Sequence, residues 1–533
     1  MSRDWLFEEK MMEKVISEKV GIRNLALVLI YFILGYVTHL SVFLYKLGTK
    51  DSNVAGMFHY TPDWEATLGR FMIKPIDAFN SYLSVPMFTC TVAILLFAVG
   101  ACLVLNILEL DDLIYQIVVG GILVVNPCVG FTLTGFYCCM DYALSYILAC
   151  LFAYFIKKEM KVINAIVAGI MLVLTLAIYQ AYLGVAVSLC LFIIIFSLVK
   201  GEEIFSTLKK GIYMAIVGGV STIAYYITMN IVLKCMNLEV SGYGGADSIF
   251  KTTILDLKIA IAVSYQDFIF YLADYAGVMS PHFYRGKVYF VVLVALFVAS
   301  LITLIVKKQL YKEPIRVVGI GLLTILFPIA ACVIMFVVKG RGMHMFMVQS
   351  LFLVFVLFGV IVYYFQNEYE GKRVGTIVGA LFLIITFLYG YEMYAINNAT
   401  YEYNHMIRNN MVSSAERILA EAEQLEGYET ESEFCFAGYM VNSYPVYTYL
   451  EQMAYPGLTT LDCDIYRFNQ AIIENIYRED IGCWLTLCNE EKYSEIVSSQ
   501  EFKEMPVYPN NGSVKMLNGY VVVKMEEKPP MPE

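Results

Sequence analysis

Long runs of apolar side chains constrain this chain more than any other feature. Residues 25–45 and 85–108 each approach the ~20 residues that a helix needs to cross a hydrocarbon core of about 30 Å. Lipid offers the backbone no hydrogen-bond partner, so each run must satisfy its own amides by becoming helical. Comparable runs recur near 113–134, 140–156, 162–177, 181–199, 212–233, 289–306, 317–338, 345–365 and 374–394. The expected fold class is an all-α polytopic membrane protein of about eleven transmembrane helices. Composition agrees: 59% hydrophobic and 16% charged residues are too apolar a mixture for soluble packing.

Charge orients these spans. Lys157, Lys158, Lys161, Lys200, Lys209, Lys210, Lys307, Lys308, Lys312, Arg316, Lys372 and Arg373 fall in alternate short connections. The positive-inside tendency assigns those connections to the cytoplasm, and an odd number of spans then puts the carboxyl-terminal part outside. Residues 1–23 are charged and amphipathic without a small-residue cleavage site, which predicts a cytoplasmic surface helix rather than a signal peptide. The resulting division is 1–23, a membrane domain 24–397 and an extracytoplasmic domain 398–533. This last part carries net charge −13 against +3 for the rest, which argues against nucleic acid as a partner.

The domain after the spans reads as a small α/β unit, with helices near 401–424 and 468–476 and strands at 434–437, 506–508 and 520–524. The run Asn510-Asn511-Gly512 is a turn signal. Its four cysteines, Cys435, Cys463, Cys483 and Cys488, match no zinc spacing and are compatible with free thiols or with disulfides. The other nine lie in or beside the apolar runs, where cysteine acts as a small hydrophobe.

A charge buried in mid-membrane is costly and marks an ion pathway where it occurs. These spans hold almost none. The ionisable and polar residues gather instead at expected outer helix ends: Asp51, Asp63, Glu65, Arg70, Lys74 and Asp77 in the first loop, Asp141 after the third span, Tyr179 and Gln180 between the fifth and sixth, and Lys339, Arg341 and His344 between the ninth and tenth. Sugar transfer from a lipid phosphate needs a carboxylate to take the acceptor's proton and a cation, preferably arginine, to hold the departing phosphate. Asp51, Asp63, Glu65 and Asp141 are the candidate carboxylates; Arg70, Arg341 and Lys74 are the candidate cations. Trp64, Tyr179, Gln180, Tyr182 and His344 are candidate substrate contacts. Each has a plainer alternative: Asp141 as a helix cap, Arg70 and Lys74 snorkelling to head groups, the tyrosines anchoring at the interface. Five histidines form no zinc cluster, so no metal site is expected from spacing.

The step Leu68-Gly69-Arg70-Phe71, the run MDYALSYILACLFAY within 136–154, the junction Ile178-Tyr179-Gln180-Ala181-Tyr182 and the ending MPVYPNNGSVKMLNGYVVVKM occur in this order on a matching hydropathy profile. Together they resemble the bacterial glucosyltransferase family named for the type II O-antigen glucosyltransferase, over about residues 25–524. The resemblance implies a GT-C fold in a bacterial cell membrane and a polyprenyl-phosphate sugar donor, typically undecaprenyl phosphate-glucose. It implies a cell-surface polysaccharide or related glycan as acceptor and no firm cofactor, with Mg or Mn an option. It maps the catalytic base to Asp51, with Asp63 and Glu65 as reserves, a second acidic position to Asp141, and a glycine-arginine step to Gly69-Arg70. Many members carry two adjacent acidic residues in the first loop, where this chain has Lys50-Asp51-Ser52. A lipid-linked polysaccharide polymerase, a lipid-sugar flippase and a surface glycan-binding protein are the competing classes.

Overall fold

The computed structural model describes the chain apart from residues 1, 59–61, 244–252, 275–284, 338–341, 369–372, 441–447, 455–464 and 533, and apart from the side chains of 2–20, 62, 448 and 449. In chain order the membrane part is built from α1 (Ser2–Leu44), α2 (Lys50–Ala55), α3 (Pro62–Thr67), α4 (Ile73–Phe79), α5 (Pro86–Ile107), α6 (Leu113–Val125), α7 (Pro127–Leu133), α8 (Cys139–Lys157), α9 (Val162–Ile178), α10 (Leu183–Lys200), α11 (Ile204–Cys235), α12 (Ile254–Leu272), α13 (Arg285–Lys307), α14 (Pro314–Ala331), α15 (Gln349–Phe352), α16 (Val354–Glu368) and α17 (Arg373–Ala422). Nine helical segments among the described residues are long and apolar enough to cross a membrane. The bent pair α6–α7 makes a tenth, and the 17-residue apolar α9 coincides with the remaining expected span. Prolines at the first turns of α5, α7 and α14 start those helices where no amide needs a partner.

One helix departs from the sequence expectation by being there at all. Residues 234–287, a long connection between two expected spans, carry no expected helix, yet α12 forms among them, started by a capping box between Thr253 and Asp256. Asp256, Lys258 and Asp267 keep it from reading as a span, and it packs against α14 and α15.

The α6–α7 break shows how a polar interruption survives in an apolar bundle. Asn126 and Pro127 end α6 and restart the chain at an angle of 43°, freeing carbonyls that lipid cannot satisfy. Each finds a donor. Asn126 Nδ2 bonds the carbonyls of Ile122 and Leu123, Gln349 Nε2 also bonds Leu123, His39 Nε2 meets Val124 at 2.9 Å, and Asn397 Nδ2 bonds Val125 at 2.8 Å. His39, fully buried, also meets Tyr401 Oη at 2.6 Å through its other ring nitrogen. Buried polar residues from α1, α15 and α17 thus fix the direction in which α7 leaves.

After the membrane part come β1 (Glu433–Ala437), α18 (Thr448–Glu451), α19 (Tyr466–Asn475), β2 (Thr486–Leu487), α20 (Glu490–Ser498), α21 (Gln500–Glu504), β3 (Val514–Leu517) and β4 (Tyr520–Lys524). The strands form one sheet in the order β2-β1-β4-β3, parallel except for the β3–β4 hairpin. The hairpin strand lies at 514–517 and not at the expected 506–508: Asn518-Gly519, with both residues at positive φ, supplies a two-residue turn that pairs β4 with the residues immediately before it. The expected helix 401–424 is the far half of α17, which runs unbroken through 397–398.

Candidate active site

Charged residues collect at both ends of the bundle, and the end that bears the sheet domain holds the first-loop candidates. The turn after α7 organises it. Ser52 Oγ donates to the Thr134 carbonyl at 2.7 Å and accepts from the Phe136 amide at 3.1 Å, while the Thr49 amide bonds Thr134 as well. Helix α2, capped by Thr49, is thereby fixed to the segment that leads into α8. Asp51 sits in the first turn of α2 and Asp141 in the first turn of α8, so both carboxylates hang from one short piece of chain.

Glu65 is their common neighbour, buried in α3 and within electrostatic reach of both. Burial raises the Asp51 carboxyl above its ordinary value, with Lys50 opposing and Glu65 adding. Asp141 is 1% exposed, one of its oxygens has no hydrogen-bond partner, and the buried Asp77 of α4 faces it electrostatically.

Arg70 is the cation paired with Glu65. Its Nη1 donates to Glu65 Oε2 at 2.8 Å and to Tyr142 Oη at 3.0 Å. The guanidinium lies 5.0 Å from the ring centre of Tyr179, and Tyr179 stacks on Tyr142 at 3.8 Å and 11°. Its Nε is buried without a partner, leaving part of the fork unspent. The backbone that presents it needs glycine: Gly69 has φ +84°, and a Cβ there would lie 2.3 Å from Tyr225 Oη. Tyr225 donates to the Gly69 carbonyl, and Gln180 Nε2 bonds both Tyr225 Oη and the Leu68 carbonyl. The junction between α9 and α10 therefore holds the glycine-arginine step in place.

Phe346 closes the aromatic side, 6.1 Å from Tyr179 and 6.3 Å from Tyr142, with His344 stacked on it at 5.6 Å. Asp267 of α12 accepts from the Met343 amide at 2.8 Å and Tyr271 donates to the Met343 carbonyl, so α12 secures the segment that carries this pair. Tyr182 is fully buried beneath, edge-on to Tyr179. Asp63 and Lys74 pair with each other at 2.6 Å on the exposed rim, where Trp64 meets Tyr243 edge-on. Arg341 and Lys339 lie outside the described residues.

Of the expected site residues, Asp51, Glu65, Arg70, Asp141, Tyr179, Gln180 and His344 converge, whereas Asp63, Trp64 and Lys74 form the rim. Asp77, Tyr142 and Phe346 were given no role from sequence. Tyr142 had a readable signal, because it follows Asp141 directly; Asp77 had none beyond lying in the acidic first loop. Among the described residues no three His, Cys, Asp or Glu side chains group as metal ligands would.

Residues 51–364 match the family of the glucosyl transferase GtrII, a stretch that starts at Asp51 and covers well over half of the chain. No curated protein and no solved structure matches it.

Proposed function

Because the chain belongs to the glucosyl transferase GtrII family, we propose that this membrane glucosyltransferase takes a glucosyl or similar hexosyl unit from a polyprenyl-phosphate donor and adds it to a cell-surface glycan. The transfer takes place at the outer face of a bacterial plasma membrane, on the side of the sheet domain, in a GT-C type of architecture. The lysine-rich opposite end lies in the cytoplasm by the positive-inside tendency. The observation that carries this reading is the Arg70 guanidinium, held by Glu65 and the Tyr142–Tyr179 stack with Asp51 and Asp141 around the same glutamate.

A donor too apolar to leave the bilayer enters sideways between helices, and its phosphate meets Arg70, with Arg341 as a second cation. Asp51, accessible and with a raised pKa, takes the acceptor hydroxyl's proton. The acceptor oxygen bonds to the anomeric carbon as the bond from that carbon to the phosphate oxygen breaks. The phosphate departs with the electron pair, stabilised by the guanidinium. One displacement inverts the anomeric centre. Asp141 and Asp77 orient sugar hydroxyls, His344 and Trp64 shape the approach, and Tyr179 and Tyr182 back the site from within.

The test uses the full-length protein in liposomes with radiolabelled polyprenyl-phosphate glucose. Release of free polyprenyl phosphate in step with label appearing on a glycan acceptor is expected. Label crossing the bilayer on intact lipid, with no phosphate released, would replace the transferase by a flippase.

A further inference from the structure

The sheet domain does more than sit beside the bundle: one turn of it is built around helix α2. After α19 the chain makes a single π-helical turn, Ile476–Ile481, and its polar groups face the end of α2. Asn475 Nδ2 donates to the carbonyls of Asn53 at 2.7 Å and Val54 at 3.1 Å. Glu479 Oε1 accepts from the Met57 amide at 2.8 Å, just past the helix end. Asp480 is gripped by Lys46 at 3.1 Å and Arg408 at 2.6 Å, and Arg408 also reaches Asn53 Oδ1. Val54 packs on the core that Ile472, Ile473 and Ile476 provide.

The approach is close enough to dictate a residue type. Gly56 caps α2 at φ +64°, and a Cβ there would lie 2.6 Å from Glu479 Oε1 and 3.1 Å from Asn475 Nδ2. A helix of six residues is too short to hold its own shape in water. Ser52 anchors one side of it to the α7–α8 turn, and Asn475 and Glu479 hold the other side, with the Ser84 amide donating to the Met57 carbonyl at 2.8 Å just past the helix end.

We infer that Asn475 and Glu479 are positioning residues for sugar transfer, fixing α2 so that Asp51 keeps its place against the acceptor. The inference rests on the reading of Asp51 as the base. Misplacing a catalytic group by about 1 Å costs on the order of a hundredfold in rate. The experiment compares full-length Asn475→Ala, Glu479→Ala, Glu479→Gln and Gly56→Ala in the liposome assay, with hydrogen–deuterium exchange of residues 50–57 measured on the same samples. Lys492→Ala, on the surface of the sheet domain, serves as a control.

The two tail alanine variants and Gly56→Ala should speed exchange in α2 and lower kcat by about ten- to hundredfold, with KM for the donor changed less than about threefold. Glu479→Gln, whose carbonyl still accepts from Met57, should recover most of the rate, and Lys492→Ala should match the wild type. Unchanged exchange in α2, or faster exchange with undiminished kcat, would overturn the inference. Full activity of Asp51→Asn would instead overturn the assignment of the base, and the exchange data would still report whether the tail holds α2.

Discussion

The two ends of the bundle use charge in opposite ways. At the lysine-rich end acids are met by bases. Glu109 bridges Lys157 at 2.6 Å and Lys200 at 2.5 Å, Glu313 pairs with Arg316, and Glu368 pairs with Lys308. Arg316 further donates to the carbonyls of Leu198, in the last turn of α10, and Glu202, just beyond it, where positive charge suits the dipole. At the other end Arg70 pairs with Glu65, Asp51 and Asp141 lie within electrostatic reach of that glutamate, and a buried oxygen of Asp141 goes without a donor. Charges satisfied by one another tie helix ends together. A buried carboxylate oxygen without a donor, as on Asp141, is available to a substrate, and a protein tolerates that cost where chemistry needs it.

The comparison breaks most decisively at Asp51. Replacing it with Asn should lower kcat by about 10²–10⁴-fold, the usual contribution of a positioned general base, while yield and unfolding temperature stay near wild type. Because burial lifts this carboxyl, wild-type kcat/KM should fall with acidification at a pH above 3.8, and that limb should vanish in the variant's residual activity. A profile with the limb intact in the Asp51→Asn protein moves the base elsewhere.

Arg70→Lys comes next. It keeps the charge and loses the fork that spans Glu65 and Tyr142, together with the flat face over Tyr179. A loss of about ten- to hundredfold in kcat/KM is expected, in line with about 1.5–3 kcal/mol for a charged hydrogen bond. A lysine variant with wild-type kinetics would mean that Arg70 only ties α3 to α8.

The smallest effect belongs to the opposite end. Burial would raise the Glu109 carboxyl, but hydrogen bonds from Lys157 and Lys200 outweigh it and bring the group down to about 2. Since the folded value lies below the ordinary 4.5, its stabilisation is complete above that pH and is lost as pH falls toward 2. Glu109→Gln should therefore leave transfer untouched and lower the unfolding temperature by about a degree or two at neutral pH, solvent screening having reduced the pair to under about 1 kcal/mol. The gap to wild type should narrow on acidification below 4.5 and close near 2; a gap undiminished across that range contradicts the pairing.

Most of the bundle could be read from sequence because lipid permits so few alternatives to an apolar helix of about twenty residues. What could not be read follows from interactions between distant segments. The α6–α7 break requires His39, Gln349 and Asn397 from elsewhere in the chain, and no local pattern announces such donors. Helix α12 carries too much charge to register as a span, so only its packing reveals it. The strand expected at 506–508 was displaced because Asn518-Gly519 made a nearer hairpin. In the site, Asp51, Arg70 and Asp141 were legible as costly residues at helix ends. Asp77, Tyr142 and Phe346 acquire meaning only from the faces they turn toward one another.

Helix α17 has 50 residues, and at 1.5 Å per residue it extends about 75 Å. A hydrocarbon core uses only about 30 Å of that. The remainder is a mast, and the sheet domain rides on it at a set height and a set compass bearing. One extra residue where α17 passes from the core of the bundle at Tyr401 to that of the sheet domain at Tyr403 would swing the domain by about 100° and carry its π-helical turn away from α2. The length of this rod is therefore as much a part of the protein's specification as any side chain in its interior.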